Sequence, residues 1–255
     1  MTMLLKHLQG NHYSKLPGIT NQAAELKGAM TAFLNRDIEY RTRFAQENFE
    51  IGFDGYSYPG QIDSINQAYD DYLHSMVLSE FYPIAKYPSE FHFYLKNIFP
   101  KMIKEVKESI EWEELETELG LEGKLGFSFS VNYYPSFESS GEPSGVRLTE
   151  HIDGSLLTIF PYGFDEGLQI NDQGNWINWI PLNGTVCFPG YMMDLATNGE
   201  IGSLNHRLNW THDQQRDRFA FALFIVPKPN VVLNFANGEQ WNTKEYYQNY
   251  LALFD

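Results

Sequence analysis

The sequence has little of several features that would assign a protein to a special class. It contains a single cysteine, Cys187, so an internal disulfide framework is excluded. That cysteine lies in an apolar run, Thr185-Val186-Cys187-Phe188, where a small buried thiol is expected rather than a reactive one. No transmembrane stretch is recognisable, and the N-terminus lacks the apolar core and cleavage pattern of a signal peptide. We therefore expect a cytoplasmic protein.

Basic residues are also scarce. Lys and Arg number 18 against 33 Asp and Glu, which gives a formal net charge of −15. Nucleic acid, whose phosphates bind clustered Lys and Arg, is thereby disfavoured as a partner, and so is an anionic membrane surface. The charge itself favours solubility. The acidic run over 111–118 is interpreted in the same way, as the solvated face of a helix rather than a binding site.

Apolar residues are plentiful and periodically placed. A hydrophobic content of 43%, with 16% aromatic residues, predicts an ordered globule of barrel size rather than a disordered chain. Breakers at Gly10, Pro17 and Gly18 predict loose structure over 1–19. The spacing further predicts a helix over 21–35 with Asn21 as a cap, a strand over 74–81, one long helix over 90–110 and a short amphipathic helix over 243–254.

From Leu125 the hydrophobic period changes to two. Apolar residues at odd positions alternate with Ser128, Ser130, Asn132 and Tyr134. The even residues share a face, so we expect Ser130 and Asn132 to line a cavity with Tyr134. Short strands broken by turns follow, and they indicate a jelly roll.

A His-x-Asp motif lies in this β-rich region. His151 and Asp153 are two residues apart in a strand-like run, so both side chains point to one face. His206 can supply a third ligand from a neighbouring strand. Two imidazoles and one carboxylate form the facial triad of non-haem Fe(II) oxygenases, which leaves positions open for O2 and substrate. No thiolate is available to recruit zinc instead, although the ligand types leave other divalent ions open.

Further motifs accompany the triad in a fixed order. They are Asn132-Tyr133-Tyr134-Pro135, Gly167-Leu168-Gln169, Thr197-Asn198-Gly199, Ser203-Leu204-Asn205-His206-Arg207 and Arg218-Phe219-Ala220. The whole set resembles the isopenicillin N synthase-like branch of the Fe(II)/2-oxoglutarate dioxygenases, which includes plant flavonoid and gibberellin oxygenases and ACC oxidase. The resemblance is close over 126–227 and looser over 35–121.

The resemblance implies a mainly β fold with flanking helices around a double-stranded β-helix, or jelly-roll, core. Residues 1–125 would form a mostly helical part that packs on the barrel, and residues 126–255 the jelly-roll domain with a C-terminal helix. That helix is expected to pack on the barrel, with a lid over the cavity as the alternative. The resemblance also implies Fe(II), 2-oxoglutarate and O2, with ascorbate as a candidate reductant, and a small-molecule substrate.

The same resemblance assigns roles to individual residues. Iron ligation and catalysis carry over to His151, Asp153 and His206, and the grip on the distal carboxylate of 2-oxoglutarate to Arg218 and Tyr134. Because related halogenases lack the carboxylate ligand, Asp153 argues against halogenation. Hydroxylation, desaturation and cyclisation stay open. Arg207, directly after a ligand, is expected to be structural.

Two positions depart from the pattern of the family. Its Arg-x-Ser reads Arg218-Phe219-Ala220, and its usual Gly-Asp reads Gly190-Tyr191. Loss of a hydroxyl that assists a charged group costs about 1.5–3 kcal/mol, or roughly one to two decades of affinity. Ala220 therefore leaves room for a 2-oxoglutarate-independent Fe(II) oxidase of the isopenicillin N synthase or ACC oxidase type. A non-catalytic small-molecule-binding jelly roll is a third alternative, for which a broken triad would be expected.

Arg147 is a candidate substrate contact. With Thr149, His151 and Asp153 it occupies alternate positions of one strand-like run, about 13 Å from the first ligand if the strand is regular. A guanidinium facing the cavity would hold a substrate carboxylate, which predicts an amino acid or another small acid as substrate. A salt bridge at the rim, with Glu142 or Glu150, is the alternative. A bulge between Leu148 and Glu150 would turn Arg147 away.

Overall fold

The computed structural model describes residues 1–46, 52–59, 72–136, 147–209 and 216–254. Its helices are α1 Met3–Gly10, α2 Ala23–Leu34, α3 Ile38–Thr42, α4 His92–Asn97, α5 Phe99–Ser109, α6 Trp112–Leu119, α7 Tyr191–Ala196 and α8 Thr243–Leu251. Its strands are β1 Ser14–Lys15, β2 Gly55–Ser57, β3 His74–Ser79, β4 Leu125–Tyr134, β5 Leu148–His151, β6 Leu157–Phe160, β7 Leu168–Asp172, β8 Asn175–Asn178, β9 Val186–Pro189, β10 His206–Leu208, β11 Arg218–Pro227, β12 Val232–Asn234 and β13 Gln240–Asn242.

The strands form two facing antiparallel sheets, which confirms the predicted double-stranded β-helix. In the described residues the larger sheet has the order β1-β9-β6-β11-β4-β3-β2, and the smaller has the order β5-β10-β7-β8. A separate hairpin joins β12 to β13. Helices flank the sheets at both ends of the chain, as predicted. The division of the chain at residue 125 stays a prediction, and β2 and β3 from the first part pair into the larger sheet.

Strands β4 and β11 form the centre of the larger sheet. They pair over ten residues, from Arg218 opposite Tyr134 to Pro227 opposite Leu125. The period-two pattern predicted this strand correctly. Phe129, on the outer face, is fully buried against the rings of Tyr94 and Phe99 from α4 and α5. The apolar odd positions therefore anchor the helices, and the even positions are left to face the barrel interior.

Two predictions about the helical part are wrong. Residues 1–19 contain α1 and β1 rather than loose structure, because the leucines at positions 4, 5 and 8 are buried on one face and Thr2 caps the helix. Strand β1 then extends the larger sheet beside β9. The single helix predicted over 90–110 is instead two helices, α4 and α5. Pro100 lies in the first turn of α5, where its missing N–H and its ring end the preceding helix.

Helix α8 packs under the strand that carries the first two triad residues. Its tyrosines at 246, 247 and 250 are buried, and the Tyr250 hydroxyl donates to the carbonyl of Ile152 at 2.8 Å. Tyr191 stacks on Tyr246, with ring centroids 5.8 Å apart. The tyrosine that replaces the usual aspartate therefore packs α7 against α8. The lid alternative gains no support, since α8 supplies none of the described residues that line the cavity.

One partly buried histidine on the outer face, His74, predicts a pH dependence of stability. His74 Nδ1 lies 2.7 Å from the Tyr56 hydroxyl, within hydrogen-bonding distance, and Tyr56 accepts from Arg41 at 3.1 Å. Burial, helped by the charge of Arg41, lowers the pKa of His74 to about 4. Above its ordinary pKa of about 6.5 neither the folded nor the unfolded state is protonated there. As the pH falls below that value, only the unfolded state takes up the proton, so this contribution to stability is lost down to about pH 4.

We therefore expect the titration of His74 to lower the free energy of unfolding, measured with urea, by roughly 2 kcal/mol between about pH 7 and about pH 5. The His74→Gln variant, which cannot titrate, should lose correspondingly less over the same interval. Parallel pH profiles for the parent protein and the variant would contradict the assignment.

Candidate active site

The two histidines of the triad lie directly opposite each other. His151 ends β5 and His206 begins β10, and the strand register pairs them with their ring centroids 4.4 Å apart. Asp153 follows two residues later, with its carboxylate oxygens 3.4 Å from His151 Nε2 and 3.8 Å from His206 Nε2. One ligand atom from each of the three residues lies within 4.8 Å of the others. That spacing fits a single metal ion bound on one face.

Backbone carbonyls set the tautomer of both imidazoles. His151 Nδ1 lies 2.7 Å from the carbonyl of Thr149, and His206 Nδ1 lies 3.1 Å from that of Leu204. Because a carbonyl only accepts, each Nδ1 carries the proton. Each Nε2 lone pair is therefore directed at the shared centre, as metal ligation by histidine requires.

The charge states of the cluster also suit a metal. Burial works to raise the pKa of Asp153, but the proximity of His206 and His151 and a hydrogen bond from Thr158 outweigh it, bringing the pKa to about 2. Burial lowers the pKa of His206 to about 4, against the attraction of Asp153. At neutral pH the site therefore presents a carboxylate and a neutral imidazole, which are the forms that bind metal ions.

Thr158 is a functional residue that sequence reasoning missed. Its hydroxyl donates to Asp153 Oδ2 at 2.5 Å, and Ser155 Oγ lies 2.9 Å from the same hydroxyl. Thr158 thus orients the carboxylate through one oxygen and leaves the other available to a metal. The only signal in the sequence is a threonine five residues after the aspartate in an apolar strand, which is too weak to identify the contact.

A cavity of about 300 Å³ extends from the triad to Arg218. Its polar wall includes Asn132, Tyr134, Thr158 and Arg218, beside Ala220 and Ala222. Its apolar wall includes Leu148, Phe160, Phe164, Leu168, Leu208 and Phe224. Since the exposed residues Lys27 and Asp165 line the same cavity, its far end opens to solvent near Arg218.

The surroundings of Arg218 suit the binding of an anionic ligand. Its side chain is 12% exposed, and its Nε makes no hydrogen bond within the described part of the chain. The guanidinium carbon lies 5.7 Å from the ring centroid of Tyr134, which is its partner across the sheet. Burial lowers the pKa of Arg218, while Tyr134 and Asp165 act against that change. A buried cation without a hydrogen-bonded partner is costly, so a ligand carboxylate would stabilise it.

Asn132 lies directly opposite Ala220, where the family hydroxyl is missing. The Ser130 hydroxyl donates to Asn132 Oδ1 at 2.6 Å, and Ser130 is itself 3.0 Å from Ser75. The Asn132 oxygen is therefore engaged, and its amide nitrogen is the group left to donate into the cavity. Ser130 supports Asn132 from behind and is not among the described residues that line the cavity.

Arg147 does not share the face of His151, because the strand between them is irregular. His206 pairs with His151 and Leu208 pairs with Leu148. The chain therefore advances three residues along β5 while it advances two along β10. This is the bulge that was considered as an alternative, and it places Leu148, not Arg147 or Thr149, among the described residues of the cavity wall. Arg147 is nevertheless buried, and burial and the charge of Arg218 lower its pKa. Glu142 lies outside the described residues, and the substrate roles of Ser130, Asn132, Arg147 and Thr149 stay predictions.

Arg207 has the structural role that was expected. Its Nε donates to Gln169 Oε1 at 2.8 Å, and its guanidinium carbon lies 4.2 Å from the ring centroid of Trp176. The arginine after the last triad residue thus ties β10 to β7 and β8. Gln169, from the Gly-Leu-Gln motif, is the acceptor in this contact.

Comparison with known proteins agrees with this fold and site. The model of the 2OG-Fe(II) oxygenase superfamily matches residues 127–227, the segment that holds the triad and Arg218. Flavonol synthase/flavanone 3-hydroxylase of Petunia hybrida is 27% identical over 167 residues, which cover 58% of this chain and 46% of the relative. Leucoanthocyanidin dioxygenase of Malus domestica is 24% identical over 234 residues, which cover 85% of this chain and 64% of the relative. The chain thus spans about half to two thirds of these relatives.

Solved structures share the fold over almost the whole chain. Neurospora crassa T7H, in complex with alpha-KG (2-oxoglutarate) and 5-formyluracil, superposes with a TM-score of 0.74 at 18% identity, covering 97% of this chain and 89% of that one. JOX2 in complex with 2OG, Fe and JA gives a TM-score of 0.70 at 15% identity, covering 96% and 79%. None of the helices in the described ranges has the length and apolar character needed to cross a membrane.

Proposed function

We propose that this chain is a non-haem oxygenase that uses Fe(II) and 2-oxoglutarate to oxidise a small molecule. The observation that carries the proposal is the placement of two kinds of site in one cavity. A triad that could hold a metal lies at one end, and the buried Arg218, whose Nε makes no hydrogen bond in the described residues, lies at the other. Such a cavity could bind a metal ion and a dicarboxylate side by side.

His151, Asp153 and His206 would hold the iron, and their geometry fits it. The ligand atoms face one point, the tautomers are fixed by carbonyls, and the carboxylate is oriented by Thr158. Three ligands on one side leave the remaining positions of an octahedral ion free. Iron held there would supply the redox chemistry by which O2 takes two electrons from 2-oxoglutarate, giving succinate and CO2, and two from a C–H bond of the substrate.

The remaining residues position the co-substrate and keep water away. Arg218 would form a charge-assisted pair with the distal carboxylate, with the Tyr134 hydroxyl and the Asn132 amide as neutral donors nearby. Phe160, Leu168 and other apolar side chains line the walls between the two ends. A dry wall strengthens the pairing with Arg218 and limits side reactions of the oxidant.

The alternative is an Fe(II) oxidase that does not use 2-oxoglutarate. Ala220 supports it, because no hydroxyl assists Arg218 at that position. The Nε of Arg218 weighs against it, since that buried nitrogen makes no hydrogen bond in the described residues and an enzyme without an anionic co-substrate would leave it so. A non-catalytic binding protein is the weakest alternative, because the triad is intact.

For the substrate we propose an amino acid or another small carboxylic acid. The support is the buried cation of Arg147 close to Arg218 and Tyr134, although the bulge in β5 keeps it off the described cavity wall. The small-molecule names of the relatives, among them mugineic-acid 3-dioxygenase of Hordeum vulgare, agree with this size class. The reaction type, among hydroxylation, desaturation and cyclisation, is left open, and the cytoplasmic location stays a prediction from the sequence.

Formation of succinate from 2-oxoglutarate tests the proposal. The Fe(II)-loaded protein in air, with ascorbate, should convert 2-oxoglutarate to succinate slowly by itself and faster with a true substrate from a panel of small acids. The matched control is the His206→Ala variant, for which no succinate is expected. Oxidation of a substrate without formation of succinate would favour the oxidase instead.

A further inference from the structure

The mouth of the cavity at the Arg218 end carries a carboxylate of the protein itself. Asp165 lines the cavity, its side chain is 77% exposed, and its Oδ2 lies 4.0 Å from Arg218 Nε. This is the same nitrogen that makes no hydrogen bond in the described part of the chain. Asp165 thus lies close to the place where the distal carboxylate of 2-oxoglutarate would have to bind.

The backbone fixes the position of Asp165. Phe164, the preceding residue, donates to the carbonyl of Leu182 at 3.1 Å. Gly163 adopts φ +76°, and a side chain there would meet the same carbonyl at 2.1 Å, so only glycine fits this turn. The turn is therefore attached to the connection before β9, and Asp165 is held at the mouth rather than carried on a free loop.

The contact between Asp165 and Arg218 is electrostatic rather than a hydrogen bond. A separation of 4.0 Å exceeds hydrogen-bonding distance, so Asp165 does not orient the guanidinium as a bonded partner would. Its charge nevertheless acts on Arg218, since it works to raise the pKa of that residue. An incoming carboxylate meets this negative charge beside the cation that should bind it.

We propose that Asp165 is an affinity-determining residue that weakens the binding of 2-oxoglutarate by opposing its distal carboxylate at Arg218. The inference rests on the proposed function, because it assumes that 2-oxoglutarate is the ligand of Arg218. Ala220, which lacks the assisting hydroxyl, would weaken the binding of 2-oxoglutarate as Asp165 does. Occupancy of the site then follows the concentration of 2-oxoglutarate instead of being saturated at low levels.

Calorimetric titration of the Fe(II)-loaded protein with 2-oxoglutarate, without O2, measures the effect directly. For Asp165→Asn we expect Kd to fall about two- to fivefold at low salt, the range typical of exposed ion pairs. Because exposed charges are screened, the difference should shrink when ionic strength rises from about 0.01 M to about 1 M. In turnover, KM for 2-oxoglutarate should fall by a similar factor.

Two controls separate this effect from a general change of charge. Glu166→Gln removes the neighbouring exposed carboxylate, which is not among the described lining residues, and should leave Kd nearly unchanged. The probe 2-oxobutyrate keeps the keto acid end but lacks the distal carboxylate, so Asp165→Asn should not alter its binding.

The outcomes are distinguishable. An unchanged or higher Kd for 2-oxoglutarate in Asp165→Asn would overturn the inference and leave the proposed function standing. An equal fall in the Kd for 2-oxobutyrate in Asp165→Asn would also overturn the inference, because the effect would then not involve Arg218. Failure of the parent protein to bind 2-oxoglutarate at all would overturn both.

Discussion

Replacing Asp153 with alanine is expected to reduce the affinity for Fe(II) by more than about 100-fold, since even the loss of a residue that only orients a ligand costs roughly 10–100-fold. Asp153 is the anionic member of the triad, and its pKa of about 2 keeps it ionised. Without Asp153 only two neutral imidazoles face the iron, so no ligand of the site compensates the positive charge of the ion. Turnover should be lost with the metal.

The fold should survive this change. The Thr158 hydroxyl keeps Ser155 as a partner, and the strands that carry the histidines stay paired. Circular dichroism should therefore be unchanged, while equilibrium dialysis shows the loss of iron. Asp172→Ala, at an exposed carboxylate on β7 of the same sheet, is the matched control and should bind iron like the parent. Iron binding by Asp153→Ala equal to that of the parent would refute the triad.

Replacing Arg218 with methionine is expected to raise the Kd for 2-oxoglutarate by roughly 10- to 100-fold, because a hydrogen bond to a charged group contributes about 1.5–3 kcal/mol. Methionine keeps most of the buried stem and removes the charge. Fe(II) affinity should not change, since the ligands are elsewhere in the cavity. Calorimetry with each ligand in turn separates the two effects.

The same variant has an expected signature in stability. Arg218 Nε is buried without a hydrogen bond among the described residues, so removing the charge should leave the Tm of the ligand-free protein unchanged or raise it. Arg216→Met, two residues earlier and exposed, is the control for loss of a positive charge. An Arg218→Met protein that folds and binds 2-oxoglutarate as tightly as the parent would remove the assigned role.

The central strands and the triad were predictable from the sequence because regular periodicity determines which side chains share a face. The alternation from Leu125 identified β4, and the two-residue spacing of His151 and Asp153 placed both on one side. His206 required the resemblance to a family, since nothing in the local sequence indicates that β10 pairs with β5.

The errors occur where a single residue interrupts a period. The bulge in β5 shifts the register by one, and this is enough to move Arg147 off the face of His151. Pro100 ends α4 within an otherwise continuous helical pattern. Thr158 was missed because its contact with Asp153 depends on how the chain turns between β5 and β6, and Asp165 because its contact with Arg218 joins distant parts of the chain.

The visible absorption spectrum of the anaerobic protein tests the central claim most directly. With Fe(II) and 2-oxoglutarate added together, the parent protein should show the weak charge-transfer band of a chelated keto acid. Neither addition alone should produce it, Ala220→Ser should strengthen it at subsaturating 2-oxoglutarate, and Asp153→Ala should abolish it. A parent protein that binds iron tightly yet shows no band at any concentration of 2-oxoglutarate would contradict the account.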